Sequence, residues 1–235
     1  MSDSDSEDFP YARYDPNKVN LLKVALKSVF LGVVLSVNSF VLVANNENSG
    51  RLNWYFIFLA IFHLLEFVNT VLFNNSQVDD DSFILEDKEM HVVTVMAIAE
   101  YIIRVHYFGI TAWPAASNVG LIVVLVGQFC RSGAMYTASE SFNHYIQRNQ
   151  QEHHKLITHG IYSYLRHPSY FGFFWWFVGL QLFLNNAVVG VVGSVVLWRF
   201  FSARIEFEEK FLVQFFKTQY VDYKDKTGTG IPFIR

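Results

Sequence analysis

The longest uncharged stretch of the chain runs from Ser169 to Trp198, and it contains no Asp, Glu, Lys or Arg. A bilayer core of about 30 Å is crossed by roughly 20 helical residues, so this stretch is too long for one span. Asn185 and Asn186 lie near its middle, and Asn is favoured in turns. The sequence therefore predicts a tight membrane hairpin of two antiparallel helices, each of roughly 15–17 residues.

Four further apolar segments precede this hairpin, and hydrophobic residues make up 52% of the chain. That fraction exceeds what a soluble domain of this size needs, which indicates an integral membrane protein. We predict an all-α, polytopic fold of about six transmembrane helices, the last two being the hairpin. The four preceding spans are predicted at 21–44, 52–73, 91–108 and 115–136.

The distribution of basic residues predicts how the spans are oriented. With six spans, both termini and the loops at 74–90 and 137–167 lie on one side of the membrane. Nearly all of the 18 Lys and Arg residues fall on that side, whereas Arg51 falls on the other and Arg104 lies within a span. The positive-inside rule assigns that side to the cytosol.

The same pattern predicts three parts of the chain. These are an acidic cytosolic tail at 1–20, four spans at 21–136, and a C-terminal region at 137–235 that faces the cytosol. The last part contains a polar loop, the hairpin at 168–203 and an amphipathic tail. The net charge of −3 does not indicate nucleic acid as a partner.

A polar cluster, Arg166-His167-Pro168, stands at the head of the hairpin. Proline is favoured at the first position of a helix, so we expect a helix to begin at Pro168 with its free amides exposed. Such an end attracts anions, and Arg166 and His167 add positive charge there. Arg166 serving only as an anchor in the membrane interface is the alternative.

The other arm of the hairpin carries Arg204 and Glu208, which are four residues apart and share a helical face. An antiparallel hairpin returns residues 199–209 to the neighbourhood of 162–170. We therefore expect opposite charges, histidine and aromatic rings to converge at one depth, with Glu209 pointing away from Glu208. A solvated surface pair is the alternative for Arg204 and Glu208.

Charged residues within the other spans are interpreted as structural, because charge in lipid is expensive. Glu100 and Arg104 are predicted to pair with each other, and His63 and Glu66 to pack between helices. The histidines at 153, 154 and 159 lack cysteine partners and lie in a loop, so no metal site is predicted.

Three runs in residues 140–235 carry a resemblance to a known family: HKLITHGIYSYLRHPSYFGFFWW, LWRFFSARIEFEEKFL and QYVDYKDKTGTGIPFI. Together they resemble the isoprenylcysteine carboxyl methyltransferases, and the six-span layout is similar to the shorter, fungal-type members. The RHPxYxG element also occurs in related membrane methyltransferases and sterol reductases. The GTGIPFI ending and the Arg-x3-Glu element favour the isoprenylcysteine family.

The resemblance implies an enzyme of the endoplasmic reticulum membrane that uses S-adenosylmethionine, with 137–235 as the catalytic region and its polar loop as the cofactor-binding loop. It would methylate the C-terminal carboxylate of farnesyl- or geranylgeranyl-cysteine in processed CaaX proteins, such as small GTPases, at the surface of the lipid. The family's substrate-carboxylate position falls on Arg204, which with Glu208 would be catalytic. The family's cofactor positions fall on Gln147, His154, Lys155, Leu156, Ile157, Tyr162, His167, Pro168, Ser169, Tyr170 and Glu208.

Three other functions stay open at this point: a phospholipid N-methyltransferase, an NADPH-dependent sterol reductase and a membrane scaffold without catalysis. Gly32 and Ser36 form a small-x3-small pattern, which is compatible with a homo-oligomer.

Overall fold

The computed structural model describes residues 18–44, 50–144, 146–147 and 155–235. These residues form helices, turns and loops, and no strand occurs among them. The helices are α1 (Leu21–Ala44), α2 (Gly50–Phe73), α3 (Lys88–Ile102), α4 (Pro114–Ala138), α5 (Pro168–Leu184), α6 (Ala187–Phe216) and α7 (Thr218–Lys226). The all-α membrane fold is thus confirmed.

Four of these helices, α1, α2, α4 and α6, are long and apolar enough to cross a membrane. Helix α3 has 15 residues and continues into one π-helical turn at Ile103–Tyr107, and α5 has 17 residues. The total of six spans and the three-part division of the chain therefore stay predictions.

The hairpin is present, with its turn at the two asparagines. Asn185 adopts the left-handed conformation that ends α5 (φ 61°, ψ 36°), and its side chain accepts a hydrogen bond from Trp113 N at 2.6 Å. Helix α5 has the predicted length, but the prediction for the second arm is wrong, because α6 extends over 30 residues. The helix continues through the charged residues 199–209, which carries them beyond the apolar stretch.

Glu100 and Arg104 do not pair with each other, so this prediction is wrong, although both residues are structural. The two carboxylate oxygens of Glu100 accept hydrogen bonds from Val188 N and Val189 N, at 2.8 and 2.7 Å. Glu100 thereby satisfies free amides at the start of α6. Arg104 donates to Leu184 O at 2.7 Å. Arg104 therefore binds the end of α5 and Glu100 binds the start of α6, on the two sides of the hairpin turn.

Helices α4 and α5 pack backbone against backbone through facing glycines. A Cβ atom added at Gly127 would lie 2.5 Å from Trp176 N, and one added at Gly172 would lie 2.6 Å from Arg131 N. Gly120 and Gly179 make equally close approaches one heptad further along. Small residues at such positions are how membrane helices gain close packing, and here they press the start of α5 against the end of α4.

Candidate active site

A cavity of about 1030 Å³ runs along the inner face of the hairpin. On α5 its lining extends from Pro168 to Gln181, a rise of about 20 Å at ~1.5 Å per residue. On α6 it extends from Val188 to Phe216. One end is lined by charged and hydroxyl side chains, and the other by aliphatic and aromatic side chains of α3, α5 and α6.

Helix α5 begins at Pro168, as predicted, and its first turn faces the cavity. Pro168, Ser169 and Tyr170 all line the polar end. The unpaired amides of this turn, with the positive end of the helix dipole, are suited to a carboxylate or another anion.

Tyr170 lies between Arg204 and Glu208. Arg204 Nε donates a hydrogen bond to the Tyr170 hydroxyl at 2.9 Å, and that hydroxyl donates to Glu208 Oε2 at 2.7 Å. Arg204 also donates to the carbonyl of His144 at 2.6 Å. The predicted convergence of the two hairpin arms is therefore confirmed. The alternative of a solvated surface pair is wrong, because both side chains line the cavity and are engaged there.

Arg166 lines the cavity at the head of α5, and a carboxylate lies against its guanidinium. It is 5% exposed, and its Nε donates to Glu209 Oε1 at 2.6 Å. His167 Nε2 lies 3.1 Å from the same oxygen, and Lys224 Nζ lies 2.5 Å from the other. Glu209 points away from Glu208, as expected, and its single carboxylate offsets part of the positive charge of Arg166 and Lys224. The burial of Arg166 also excludes the interfacial anchor.

Arg131 and Glu66 form a buried ion pair beneath the start of α5. Arg131 donates through Nε and Nη2 to the two carboxylate oxygens of Glu66, both at 2.8 Å. Its Nη1 donates to Ser169 Oγ at 2.7 Å. Ser169 thus accepts from the protein, and its own hydroxyl proton is available to a ligand in the cavity.

From its sequence context Glu66 was expected to be a helix-packing group, and Arg131 was expected only as one of the basic residues on the cytosolic side. The signal was present, because an acid inside one span and an arginine at the end of another are each costly unless paired. His63 does pack as predicted, with its Nδ1 2.8 Å from the carbonyl of Phe83.

The other predicted cofactor residues lie around the polar end, except for one. Lys155, Leu156, Ile157 and Tyr162 line the main cavity. Burial raises the pKa of Tyr162, so its hydroxyl stays protonated. Gln147 lines a smaller adjoining cavity together with Lys155 and Glu208.

The predicted cofactor residue His154 lies outside the described residues. Among the residues that the structure does describe, no group of three metal-ligating side chains converges.

The C-terminal segment packs against the outer side of the hairpin, a contact that the sequence did not predict. Arg166 N donates to Gly228 O at 3.0 Å, and Trp198 Nε1 donates to Pro232 O at 2.7 Å. Gly230 has φ +72°, and an added Cβ there would lie 2.5 Å from the Phe171 ring. The GTGIP run therefore packs closely against both α5 and α6.

Comparison with known proteins identifies the family. A model of the isoprenylcysteine carboxyl methyltransferase family matches residues 119–214. The protein-S-isoprenylcysteine O-methyltransferase of Saccharomyces cerevisiae is 37% identical over 98% of this chain and 97% of its own length. The chain belongs to the isoprenylcysteine carboxyl methyltransferase family. It is therefore an enzyme, and a scaffold without catalysis is excluded.

Two further comparisons define its place among the isoprenylcysteine carboxyl methyltransferases. The Homo sapiens protein-S-isoprenylcysteine O-methyltransferase is 34% identical over 91% of this chain, but only 75% of its own length is covered. A solved structure of a eukaryotic intramembrane Ras methyltransferase superposes with a TM-score of 0.83 at 35% identity, over 90% of this chain and 77% of the other. The expected similarity to the shorter, fungal-type methyltransferases is confirmed.

Proposed function

We propose that this enzyme transfers a methyl group from S-adenosylmethionine to the carboxylate of a C-terminal farnesyl- or geranylgeranyl-cysteine. The supporting observation is the position of Arg204, Tyr170 and Glu208 where the polar end of the cavity meets its apolar end. A prenylated cysteine has the same division, with a charged carboxylate attached to a long hydrocarbon chain.

The chemistry requires orientation more than proton transfer. A C-terminal carboxyl has a reference pKa of about 3.3–3.7, so it is ionised at neutral pH and needs no general base. Alignment of the carboxylate with an electrophilic methyl group can supply about 7–11 kcal/mol of the barrier. The protein must therefore hold the carboxylate in place without neutralising the oxygen that attacks.

Arg204 is suited to that task. Its Nε and Nη2 are occupied by the Tyr170 hydroxyl and the His144 carbonyl, which fix the plane of the guanidinium. The remaining nitrogen, Nη1, can then hold one carboxylate oxygen and leave the other to react. This arrangement differs from a bidentate grip, in which both oxygens would be held.

The polar end also fits the cofactor, which supplies an electrophilic methyl on a sulfonium. The amides at the start of α5 and the Ser169 hydroxyl would hold its carboxylate, because Arg131 leaves the Ser169 proton free. Glu208, with a side chain 27% exposed, would accept hydrogen bonds from its amino or hydroxyl groups. The adenosine would pack against Leu156, Ile157 and Tyr162.

The apolar end would hold the prenyl chain. Burial of hydrocarbon contributes roughly 25 cal/mol per Å², so a prenyl chain leaves the bilayer only for an equally apolar site. The hairpin offers one between Phe173, Phe177 and Leu180 on α5 and Val192 on α6. We infer that prenylated CaaX proteins, such as small GTPases, are the substrates, at the cytosolic face of the endoplasmic reticulum membrane.

Substitution of Arg204 tests this function. Labelled methyl transfer to N-acetyl-S-farnesylcysteine is measured in membranes, with base-labile methyl ester as the product. We expect Arg204→Ala to abolish transfer while the purified variant still binds S-adenosylhomocysteine. Arg199→Ala is the matched control, because Arg199 is exposed on the same helix and does not line the cavity. Normal turnover by Arg204→Ala would refute the proposed role.

A further inference from the structure

The C-terminal segment, residues 228–234, forms no helix or strand, yet most of its backbone carbonyls are paired within the protein. Gly228 O accepts a hydrogen bond from Arg166 N at 3.0 Å, and Ile231 O accepts one from Ile234 N at 3.2 Å. A loop in water can leave its carbonyls to the solvent. Inside a bilayer no water replaces a missing partner, so irregular backbone there must be satisfied by the protein.

Side chains supply further donors to this segment. Trp175 Nε1 on α5 donates to Gly230 O at 3.2 Å, and Trp198 Nε1 on α6 donates to Pro232 O at 2.7 Å. The buried hydroxyl of Thr229 donates to the last carbonyl of the segment at 2.6 Å. Pro232 has no N–H group that would need an acceptor. Two indoles and a buried hydroxyl thus pair carbonyls that a loop in water would leave to the solvent.

The level of Trp198 shows where the C-terminal segment lies in the bilayer. Helix α6 rises about 18 Å from Asn186 to Trp198 at ~1.5 Å per residue, whereas the hydrocarbon core is about 30 Å thick. Trp113, which contacts the hairpin turn, is 69% exposed, as expected for an aromatic residue at the opposite membrane interface. Trp198 therefore lies inside the hydrocarbon core, in the half nearer the active site.

The exposed surface of α6 is apolar along this whole rise. More than half of the surface is exposed at each of four valines, which are Val188, Val191, Val195 and Val196. Arg199 follows Trp198, and its long side chain can reach the membrane surface while its stem stays in lipid. Phe200, one residue beyond, is still 52% exposed, so apolar surface continues past the level of the segment.

Phe233 points out of the C-terminal segment at that level. Ile231 packs into a core cluster with residues of α5 and α6 and is 3% exposed, whereas Phe233 is 95% exposed. The Phe233 backbone has φ 62°, a left-handed conformation that is unfavourable for a residue with a Cβ atom. A fully exposed aromatic ring is costly in water but not in lipid. Lipid around the ring therefore explains why the segment directs it outward.

We propose that residues 228–234 are embedded in the membrane and that the Phe233 ring lies among lipid acyl chains. The segment begins beside the start of α5, is held by the indoles of Trp175 and Trp198, and lies on the outer side of the hairpin. This outer surface is separate from the cavity, so its contact with lipid does not depend on the proposed function.

A nitroxide spin label at position 233 tests the proposal. Phe233→Cys is made in a Cys130→Ala protein, because Cys130 is the only cysteine of the chain, and the labelled protein is placed in lipid nanodiscs. Power saturation compares the accessibility of the label to oxygen, which concentrates in hydrocarbon, with its accessibility to a nickel chelate, which stays in water. We expect the accessibility to oxygen to exceed the accessibility to the chelate.

Two further labels calibrate the measurement. Val196→Cys, at a residue of α6 that is 62% exposed, should show the same preference for oxygen. Tyr164→Cys, at a residue before α5 that is 80% exposed, should show the opposite preference. A thermal unfolding midpoint equal to that of the Cys130→Ala protein shows that each labelled variant is folded.

A preference for oxygen at position 233 supports the proposal. Accessibility to the nickel chelate that equals or exceeds accessibility to oxygen overturns it, because the ring would then lie in water. Either result leaves the proposed function intact, since methyl transfer to a prenylated cysteine is measured separately.

Discussion

Arg204 on α6 donates a hydrogen bond to the hydroxyl of Tyr170 on α5 at 2.9 Å, which joins the two arms of the hairpin inside the cavity. The same hydroxyl donates to Glu208, so one phenol orients both a cation and an acid. Arg204, Tyr170 and Glu208 are therefore linked by hydrogen bonds into one unit, although Tyr170 lies more than 30 residues earlier in the sequence.

Removal of that hydroxyl should impair catalysis more than folding. We expect Tyr170→Phe to lower kcat about 10- to 100-fold, because hydrogen bonds to charged groups contribute roughly 1.5–3 kcal/mol. The ring should keep its stacking on His167, whose centroid lies 5.5 Å away. Methyl transfer to N-acetyl-S-farnesylcysteine measures the effect. Tyr164→Phe, at a tyrosine that is 80% exposed, is the control. An unchanged kcat for Tyr170→Phe would contradict the role of the hydroxyl.

Glu208 and Glu206 lie about half a turn apart on α6, so their side chains point to opposite sides of the helix. The pair tests whether Glu208 contacts the cofactor. We expect Glu208→Gln to weaken binding of S-adenosylhomocysteine about tenfold, through the loss of one charge-assisted hydrogen bond. Glu206→Gln should leave binding unchanged, because the Glu206 side chain is 74% exposed and pairs with Lys210. Calorimetric titration of the purified proteins measures both. Equal affinities for the two variants would indicate that Glu208 does not contact the cofactor.

The glycine contacts between α4 and α5 predict a large effect of a single methyl group. Gly127→Ala places its Cβ against the backbone of Trp176, so the helices must separate. We expect a loss of about 1–3 kcal/mol or more in the free energy of unfolding. A thermal unfolding midpoint in detergent reports the change.

Gly133→Ala on the same helix is the control for that test. The added Cβ would lie 3.6 Å from Ile161 Cδ1, an ordinary contact. Alanine also has the higher helix propensity, so a small gain in stability is expected. Similar losses from both substitutions would show that the close approach is unimportant.

His144 predicts how stability depends on pH. Burial, together with the charge of Arg131, lowers the pKa of His144 from 6.5 to about 4. Between these values the unfolded chain binds a proton that the folded protein does not. Stability should therefore fall as the pH decreases from about 7 to about 4, by up to roughly 3 kcal/mol from this group, and change no further below that range.

The variant His144→Gln isolates that contribution. It removes the titrating group and keeps the backbone carbonyl to which Arg204 donates. Thermal midpoints measured from pH 8 to pH 4 should decline less steeply for the variant than for the unsubstituted protein. Parallel declines would show that other groups cause the pH dependence.

The hairpin and its consequences could be predicted from the sequence alone. The uncharged stretch exceeds one bilayer crossing, and the two asparagines interrupt it where a turn is needed. Antiparallel arms then return residues 199–209 to residues 162–170, whatever the details of packing. Pro168 likewise marks a helix start, because its ring and missing N–H suit only the first turn.

The tertiary structure alone decided which side chains meet. Helix α5 is apolar on nearly all sides, so no hydrophobic stripe in its sequence indicates which face packs and which lines a cavity. The facing glycines set its rotation against α4, and that rotation brings Ser169 to Arg131 and Tyr170 to Arg204. Likewise, only the packing of α6 beside the start of α5 shows that Arg166 pairs with Glu209. The sequence shows which charged residues lie within membrane spans and therefore need partners. The rotation of each helix about its axis determines which partner each of them meets.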